Sequence, residues 1–352
     1  IKTCSPLSAI GCPLLPYHRK VLSEVMGVAE SPKPARSLVS IAGIVAVATL
    51  ISKLFGLFRQ QAIAAAFGDG VVAGAYNFAY IIPGFLLILL GGINGPFHSA
   101  IVSVLAKRKK EEVAPIVETI TTLVIGILLL VTIALVIFAD PMMRVVAPGL
   151  FISAQDAATK GISPAEYQNL VQTRTIAIEQ FKIMAPMAVL AGLIGIGFGT
   201  LNAADQYWLP SISPLLSSVT VLIGLGWLAW SIGSQVSLPE YAMLGGVVLA
   251  WATVAGGLLQ WLVQLPVQWK SGLGGLRLRF GFHRPEVKEV INIMMPATFS
   301  SGMLQINVWT SMFFASFIPN PEAAVSAMGY AGLLAMTPLG ILSNVILVPL
   351  LP

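Results

Sequence analysis

The chain has 352 residues, of which 56% are hydrophobic and only 10% are charged. Soluble domains carry roughly 25% charged residues, so this composition excludes an ordinary soluble globular protein. The 33 glycines and 23 prolines are typical of a polytopic helical membrane protein, because both residues are commoner in transmembrane helices than in soluble ones. The net charge of +5 comes largely from basic residues in short loops, which indicates membrane topology rather than a nucleic-acid partner.

The N-terminal 36 residues contain prolines, serines and five basic residues, but no apolar run of signal-peptide length. We therefore expect residues 1–36 to be a flexible leader, followed by an uncleaved first span. The chain begins with Ile1 and ends at Pro352 directly after an apolar run, so we interpret it as a fragment or a processed form. Cys4 and Cys12 with three dispersed histidines form no zinc or disulfide pattern.

Long stretches without Asp, Glu, Lys or Arg recur along the chain, and about 20 apolar residues suffice to cross a bilayer. The sequence therefore predicts an all-α polytopic membrane protein with about eight transmembrane helices. The predicted spans lie near residues 38–58, 72–100, 113–138, 177–201, 209–232, 240–266, 288–318 and 323–351.

Lys and Arg are concentrated in alternate loops. The leader, the loop after the second span and the loop after the sixth span together hold 14 of the 20 basic residues. Since cytoplasmic loops carry an excess of Lys and Arg, we expect a cytoplasmic N-terminus. The sequence has no nucleotide-binding, paired-His or Ser/His/Asp pattern. Any transport is therefore expected to use an ion gradient, the membrane potential or downhill flux.

A weak internal repeat is visible at an offset of 250 residues. It aligns Ala65-Ala66-Phe67, Ala73 and Tyr80 with Ala315-Ser316-Phe317, Ala323 and Tyr330. The offset equals six predicted spans, as two homologous six-helix halves would give, and such repeats are common in transporters. Chance similarity between Ala-rich helices is the alternative.

Ionisable groups inside spans are costly and usually face a cavity or a partner. Lys53 and Arg59 flank Gly56 toward the far end of the first span. One interpretation is that Gly56 loosens the helix as a hinge, while the two cations point into a central cavity that accepts an anionic head group such as a phosphate. The alternative is that both side chains extend to the outer membrane interface.

Other polar residues in spans have two interpretations each. Glu118 either binds a cation or proton or is a first-turn acid near a helix N-terminus. Gln260, Gln264 and Gln268 repeat every four residues, and this stripe either lines a water-filled path or forms interhelical hydrogen bonds. Single polar groups serve either helix packing or ligand contact, and those we select as candidate binding residues are Asn77, Asn94 and Gln305.

The segment from Ser52 to Phe67 resembles the opening of the MurJ (MviN) family, the lipid II flippases of the MOP superfamily. Its K-L-F-G-L-F-R-Q and A-A-A-F-G runs carry this resemblance. Further matches follow in the same order, so that the resemblance covers residues 38–352. They are Tyr80-Ile-Ile-Pro83, Val146-Ala147-Pro148-Gly149, Leu201-Asn202 with Pro210 and Pro214, Gly256-Gly257-Leu258-Leu259-Gln260 with Gln264 and Pro266, and Pro296 followed by Gln305-Ile306-Asn307 and Phe314-Ala315-Ser316-Phe317.

The resemblance implies a MOP-type helical bundle of two six-helix lobes around a central cavity. Residues 37–269 would form the N-lobe and residues 270–352 the first two helices of the C-lobe. The chain would then be a transporter rather than an enzyme, translocating lipid II, a polyprenyl diphosphate-linked glycan, across the cytoplasmic membrane by alternating access. Lys53 and Arg59 would contact the diphosphate, and Asn77, Asn94, Gln260 and Gln305 are further candidate contacts. No cofactor, a possible coupling cation and a monomeric state are expected.

Several charged positions of the family are replaced in this chain, so the head-group site is expected to be built differently. These positions are Gln60, Gly74, Leu87, Ile88, Ser311 and Leu333. Other functions on the same fold are export of another polyprenyl-linked glycan or a small solute, and a non-transporting scaffold. A cyanobacterial-type cytoplasmic membrane is the expected location, with a plastid envelope as the alternative.

Overall fold

The computed structural model describes residues 38–92, 95–281 and 283–350. Within these ranges the chain folds into helices joined by short turns, and no strand is present there. The predicted leader, residues 1–36, lies outside the described residues. In chain order the α-helices are α1 (Leu38–Phe67), α2 (Val71–Gly91), α3 (Pro96–Leu105), α4 (Lys110–Ile137), α5 (Ala139–Val146), α6 (Ala154–Thr159), α7 (Pro164–Met184), α8 (Met187–Ala203), α9 (Trp208–Ile212), α10 (Pro214–Ile232), α11 (Ala242–Leu262), α12 (Leu265–Lys270), α13 (Pro285–Ala315) and α14 (Pro321–Leu350).

Local sequence signals set where many of these helices begin. Proline has no N–H to lose at the first helical position and its fixed φ suits the helix. It is accordingly the first residue of α3, α7, α10, α13 and α14. Helix α7 also has a capping box, in which the N–H of Glu166 donates to Ser163 Oγ and the N–H of Ser163 donates to Glu166 Oε2.

Within the described residues, four segments are long and apolar enough to cross a membrane, and the bent pair α7 and α8 makes a fifth if it forms one span. The pair bends by 43° at residues 185–186. These segments coincide with the second to sixth predicted spans, which supports a multi-pass, all-α membrane protein. They are Val71–Leu105, Glu111–Ile137, Pro164–Met184 with Met187–Ala203, Trp208–Ser237 and Pro239–Lys270.

The first, seventh and eighth predicted spans coincide with α1, α13 and α14. Each of these helices has 30 or 31 residues, which is sufficient length for a span. The count made above over the described residues does not include them. Lys53 and Arg59 lie within α1, and α13 carries a series of Ser, Thr, Asn and Gln residues. The count of eight spans therefore stays a prediction.

Helix α2 lies at the centre of the bundle. It packs against α7, α8, α11, α13 and α14. Its side chain Tyr76 shares a buried hydrogen bond of 3.0 Å with Thr253 of α11. Small residues bring backbones close together in such bundles. At Gly195 of α8, an added methyl group would run into the backbone carbonyl oxygen of Leu90.

The junctions between neighbouring helices follow the spacing of the internal repeat. Helix α1 ends at Phe67 and α2 begins at Val71, while α13 ends at Ala315 and α14 begins at Pro321. Each junction is therefore a short turn at corresponding places in the two copies, which agrees with an offset of 250 residues. The division into an N-lobe at 37–269 and a C-lobe from 270 stays a prediction.

We expect Gly195→Ala to destabilise the protein, because the new methyl group must displace the backbone of α2. Overpacking of this kind costs about 1–3 kcal/mol, which should lower the thermal unfolding temperature measured in detergent. Gly226→Ala is the matched control, since nothing lies within 4 Å of a methyl group there and alanine favours a helix. Equal unfolding temperatures for both variants would contradict the close packing of α2 on α8.

Candidate functional site

Helix α1 carries the two cations that the sequence analysis selected. The helix runs unbroken from Leu38 to Phe67, so it continues nine residues beyond the predicted span end at residue 58 and is not interrupted at Gly56. Nothing lies within 4 Å of a methyl group added at Gly56. The hinge role of Gly56 stays a prediction.

Lys53 and Arg59 are both half-buried, and within the described residues neither has an ion-pair partner. Six residues of α-helix place them about 9 Å apart along the axis and about 120° apart around it. They therefore leave α1 in different directions. A single phosphate group would be contacted by one of them, whereas a longer anion could reach both.

The guanidinium of Arg59 is incompletely satisfied. Its Nε atom is buried and has no hydrogen-bond partner in the described structure. The charge of Arg59 acts electrostatically on the phenol of Tyr80 in α2, so the two side chains lie in the same region. A buried, unpaired polar nitrogen is costly, and this makes Arg59 the candidate with the clearest need for an acceptor.

Asn77 lies three residues before Tyr80 and thus on the same face of α2. Its Oδ1 atom would be 3.6 Å from a methyl group added at Gly329 of α14. The amide of Asn77 therefore lies at the contact between α2 and α14. We call Arg59, Asn77 and Tyr80 together the Arg59 face. Two of the predicted binding residues, Arg59 and Asn77, are thus associated with one face of α2.

Gln305 occupies a different environment. It lines a cavity of about 240 Å³ between α2, α5 and α13, whose other lining residues are mainly apolar and include Ile82, Phe85 and Trp309. Arg59 does not line this cavity. The structure therefore does not bring Gln305 together with the Arg59 face. Asn94 lies outside the described residues.

The glutamine stripe is enclosed by helix packing. Gln260 is only 4% exposed, and its backbone carbonyl accepts a hydrogen bond of 2.9 Å from Gln264 Nε2. Side-chain atoms of Gln264 and Gln268 lie against Gly197 of α8. This position favours a packing role for the stripe, and contact of Gln260 with substrate stays a prediction.

Glu118 has a role that the sequence analysis did not identify. It is 5% exposed and holds the segment between α12 and α13 against α4. Its Oε2 accepts a hydrogen bond of 2.6 Å from Arg279 Nε, and its Oε1 accepts one of 3.2 Å from the N–H of Gly275. The N–H of Arg279 donates to Thr122 Oγ1 at 3.0 Å. Both carboxylate oxygens are therefore used for structure rather than left for a cation.

Ion pairs join the start of α13 to the loop between α3 and α4. Arg108 lies 3.1 Å from Glu289 and 3.9 Å from Glu286, and Lys107 lies 3.3 Å from Glu289. We call these four residues with Glu118 and Arg279 the linker clasp. Basic residues in the loop and acidic residues at the start of α13 were visible in the sequence, but partners more than 150 residues apart could not be paired from it.

Metal binding has no candidate in the part of the chain that the structure describes. No group of three or more His, Cys, Asp and Glu side chains there is suited to a metal ion. The possible coupling cation stays a prediction.

Comparison with known proteins identifies the family. A family model described as "Lipid II flippase MurJ" matches residues 63–352, which is most of the chain. The chain belongs to the MurJ family. This finding confirms the resemblance stated from the sequence, and a flippase family indicates a transporter rather than a catalytic enzyme.

Curated MurJ relatives align along nearly the whole chain. It is 61% identical over 322 residues to "Probable lipid II flippase MurJ" of Synechocystis sp. strain PCC 6803, with 92% of this chain and 56% of the relative covered. It is 30% identical over 325 residues to the protein of that name from Rhizobium meliloti, with 90% of this chain and 54% of the relative covered. It is 29% identical over 324 residues to "Lipid II flippase MurJ" of Burkholderia cenocepacia, with 89% of this chain and 56% of the relative covered. The chain thus spans about half the length of these curated relatives.

We expect Glu118→Gln to loosen the segment between α12 and α13. A hydrogen bond between charged groups contributes about 1.5–3 kcal/mol, and the 41% exposure of the Arg279 side chain reduces this to about 1 kcal/mol. Tryptic cleavage after the exposed Arg277 should then become roughly fivefold faster.

Glu111→Gln is the matched control for this experiment. Glu111 is an exposed acid in the first turn of the same helix, and it forms no ion pair within the described residues. Equal cleavage rates for the two variants would show that Glu118 does not hold the segment.

Proposed function

We propose that this chain belongs to a flippase that translocates lipid II across the cytoplasmic membrane for cell-wall synthesis. The observation that carries the proposal is the Arg59 face, where a cation of α1 with a buried nitrogen that has no partner in the described structure acts electrostatically on Tyr80 of α2. Membership of the MurJ family and the names of the relatives support lipid II as the substrate. The polyprenyl tail would remain in lipid while the diphosphate-linked head group passes along this face.

A diphosphate suits this face for a physical reason. Arg presents several N–H donors in a planar fork that matches phosphate oxygens, and such charge-assisted bonds are among the strong ones in proteins. Binding would satisfy the nitrogen that has no partner in the described structure. Lys53, about 9 Å away along α1, would contact a different part of the same extended anion.

We further propose that α1, α13 and α14 complete eight spans of a two-lobe MOP-type bundle, with the N-terminus in the cytoplasm. The Ser, Thr, Asn and Gln residues of α13 are expected of a helix that borders a hydrated path, because polar groups inside a membrane usually face a cavity or a partner. The basic loop residues that predict this orientation would place the linker clasp at the cytoplasmic side.

In this topology the two lobes touch at both ends. The linker clasp closes the cytoplasmic end through Arg108 and Glu289. At the other end, Tyr330 donates a 2.7 Å hydrogen bond to the carbonyl of Gly68, and the N–H of Gly149 donates to Ser316 Oγ at 3.1 Å. Alternating access would require each set of contacts to break in turn, with the protein acting as a monomer.

Loss of the Arg59 side chain tests the proposal. We expect Arg59→Ala to lower lipid II translocation about tenfold or more, because one charge-assisted interaction contributes about 1.5–3 kcal/mol. Arg59→Lys should retain part of the activity, since it keeps the charge and loses the planar fork. The measurement is the rate at which lipid II becomes accessible to a membrane-impermeant reagent in cells that depend on this protein.

Lys270→Ala is the matched control, because Lys270 is an exposed cation in the last turn of α12. Its translocation rate should equal that of the unmodified protein. Unchanged translocation by Arg59→Ala at equal protein level would remove Arg59 from the site. Absence of lipid II translocation by the unmodified protein would favour another polyprenyl-linked glycan as the cargo.

A further inference from the structure

Glu322, in the first turn of α14, is a buried acid that the proposed head-group site does not use. The residue is 5% exposed, and its Oε2 atom is buried without a hydrogen-bond partner in the described structure. Ionised carboxylates are almost never left buried and unpaired, because the lost hydration is not replaced. The burial of Glu322 therefore needs an explanation.

Gly74 of α2 is the reason that Glu322 can be buried. A methyl group added at Gly74 would come within 2.5 Å of both the Cα and the Cβ of Glu322. Only glycine allows α2 and α14 to approach this closely. One turn further along α14, Ser326 is fully buried, so the contact continues into the interface. The first turn of α14 thus closes directly on the backbone of α2.

The charged groups around Glu322 are acidic. Asp69, in the turn between α1 and α2, and Glu166, in the first turn of α7, both act electrostatically on it. Helix α2 contributes no ionisable residue other than Tyr76 and Tyr80. Tyr330, on α14 itself, faces Asp69.

One cation lies near this group. Lys160 lines a neighbouring cavity of about 240 Å³ together with Glu166 and Asn320, but it is exposed and does not pair with Glu322 within the described residues. No basic side chain in the described part of the chain forms an ion pair with Glu322. The residue precedes the predicted span at 323–351. Burial raises the pKa of the Glu322 carboxyl, and the nearby charges of Asp69 and Glu166 raise it further. A hydrogen bond from the backbone N–H of Glu322 itself lowers this pKa by less than burial raises it.

We propose that Glu322 binds a proton at the contact between α2 and α14, and that this proton keeps the two helices together. A neutral carboxyl can remain buried beside Asp69 and Glu166, whereas the ionised form would leave an unpaired oxygen next to two negative charges. Loss of the proton therefore favours separation of α14 from α2. Closure is fully favoured below the ordinary pKa of a glutamate and is lost as the pH rises through the raised pKa.

The inference rests on the proposed function, because separation of α2 from α14 would be the outward-opening step of transport. A cysteine at the buried Ser326 reports on this step without any substrate. Cys4 and Cys12, the two cysteines of the sequence, are replaced by Ser in every variant. Labelling of Ser326→Cys by a membrane-impermeant maleimide is then measured from about pH 5 to about pH 8.

The measured quantity is the labelling rate of Ser326→Cys with native Glu322, divided by the rate of Ser326→Cys with Glu322→Gln at the same pH. We expect this ratio to rise severalfold with pH. The ratio removes the pH dependence of the maleimide reaction itself. Glu322→Gln should stay protected throughout, because its amide is neutral at every pH. Asp69→Asn should shift the rise to lower pH, since removing a negative charge lowers the pKa of Glu322. Gly74→Ala should be labelled at every pH, because its methyl group prevents the close contact.

Glu240→Gln, which changes an exposed acid, is the matched control and should leave the profile unchanged. The same labelling with Glu322 and with Glu322→Gln at every pH would overturn the inference. The lipid II assay is separate from this one. A pH-dependent opening without lipid II translocation would contradict the proposed function alone, and translocation without pH-dependent opening would contradict this inference alone.

Discussion

A charged side chain enclosed by membrane helices has to be paired, neutralised or solvated, because no water in the hydrocarbon region replaces its lost hydration. This constraint separates three charged residues, Glu118, Arg59 and Glu322, by whether the described structure gives them partners. Glu118 is paired through both oxygens and holds a loop. Arg59 and Glu322 each retain a buried atom without a partner in the described structure. The paired group is therefore structural, and the two unpaired groups are where a ligand or a proton has an energetic reason to bind.

The central position of α2 connects these two groups. Arg59 acts electrostatically on Tyr80 of α2, and Glu322 lies against Gly74 near the start of the same helix. Asn77, between them in sequence, lies against Gly329 of α14. A movement of α14 away from α2 would therefore change the surroundings of the proposed proton site and of the Arg59 face together. That shared helix gives a physical route by which protonation and head-group binding could influence each other.

The sequence predicted the helices well because their signal is local. Long apolar runs and proline at first helical positions depend only on neighbouring residues, so each of the eight predicted spans coincides with one helix or with two consecutive helices. The boundaries were less accurate where polar residues continue a helix. Helix α1 extends to Phe67 through Lys53 and Arg59, and α7 begins at Pro164 rather than near residue 177. The partners of Glu118 and the burial of Glu322 could not be predicted, since they depend on contacts across 161 residues and on one close helix crossing.

The two ends of the proposed lobe interface differ in their chemistry. The ion pairs of Arg108 with Glu286 and Glu289 involve side chains that are 25–33% exposed, and such pairs contribute about 0–1 kcal/mol each and are screened by salt. At the opposite end the contacts are hydrogen bonds to backbone groups and a buried carboxyl whose charge depends on pH. Opening of the first end should therefore respond mainly to ionic strength, and opening of the second mainly to protons. An interface built in this way can favour closure of either end without changing its apolar core, because the energy that distinguishes the two states lies in a few polar contacts at its edges.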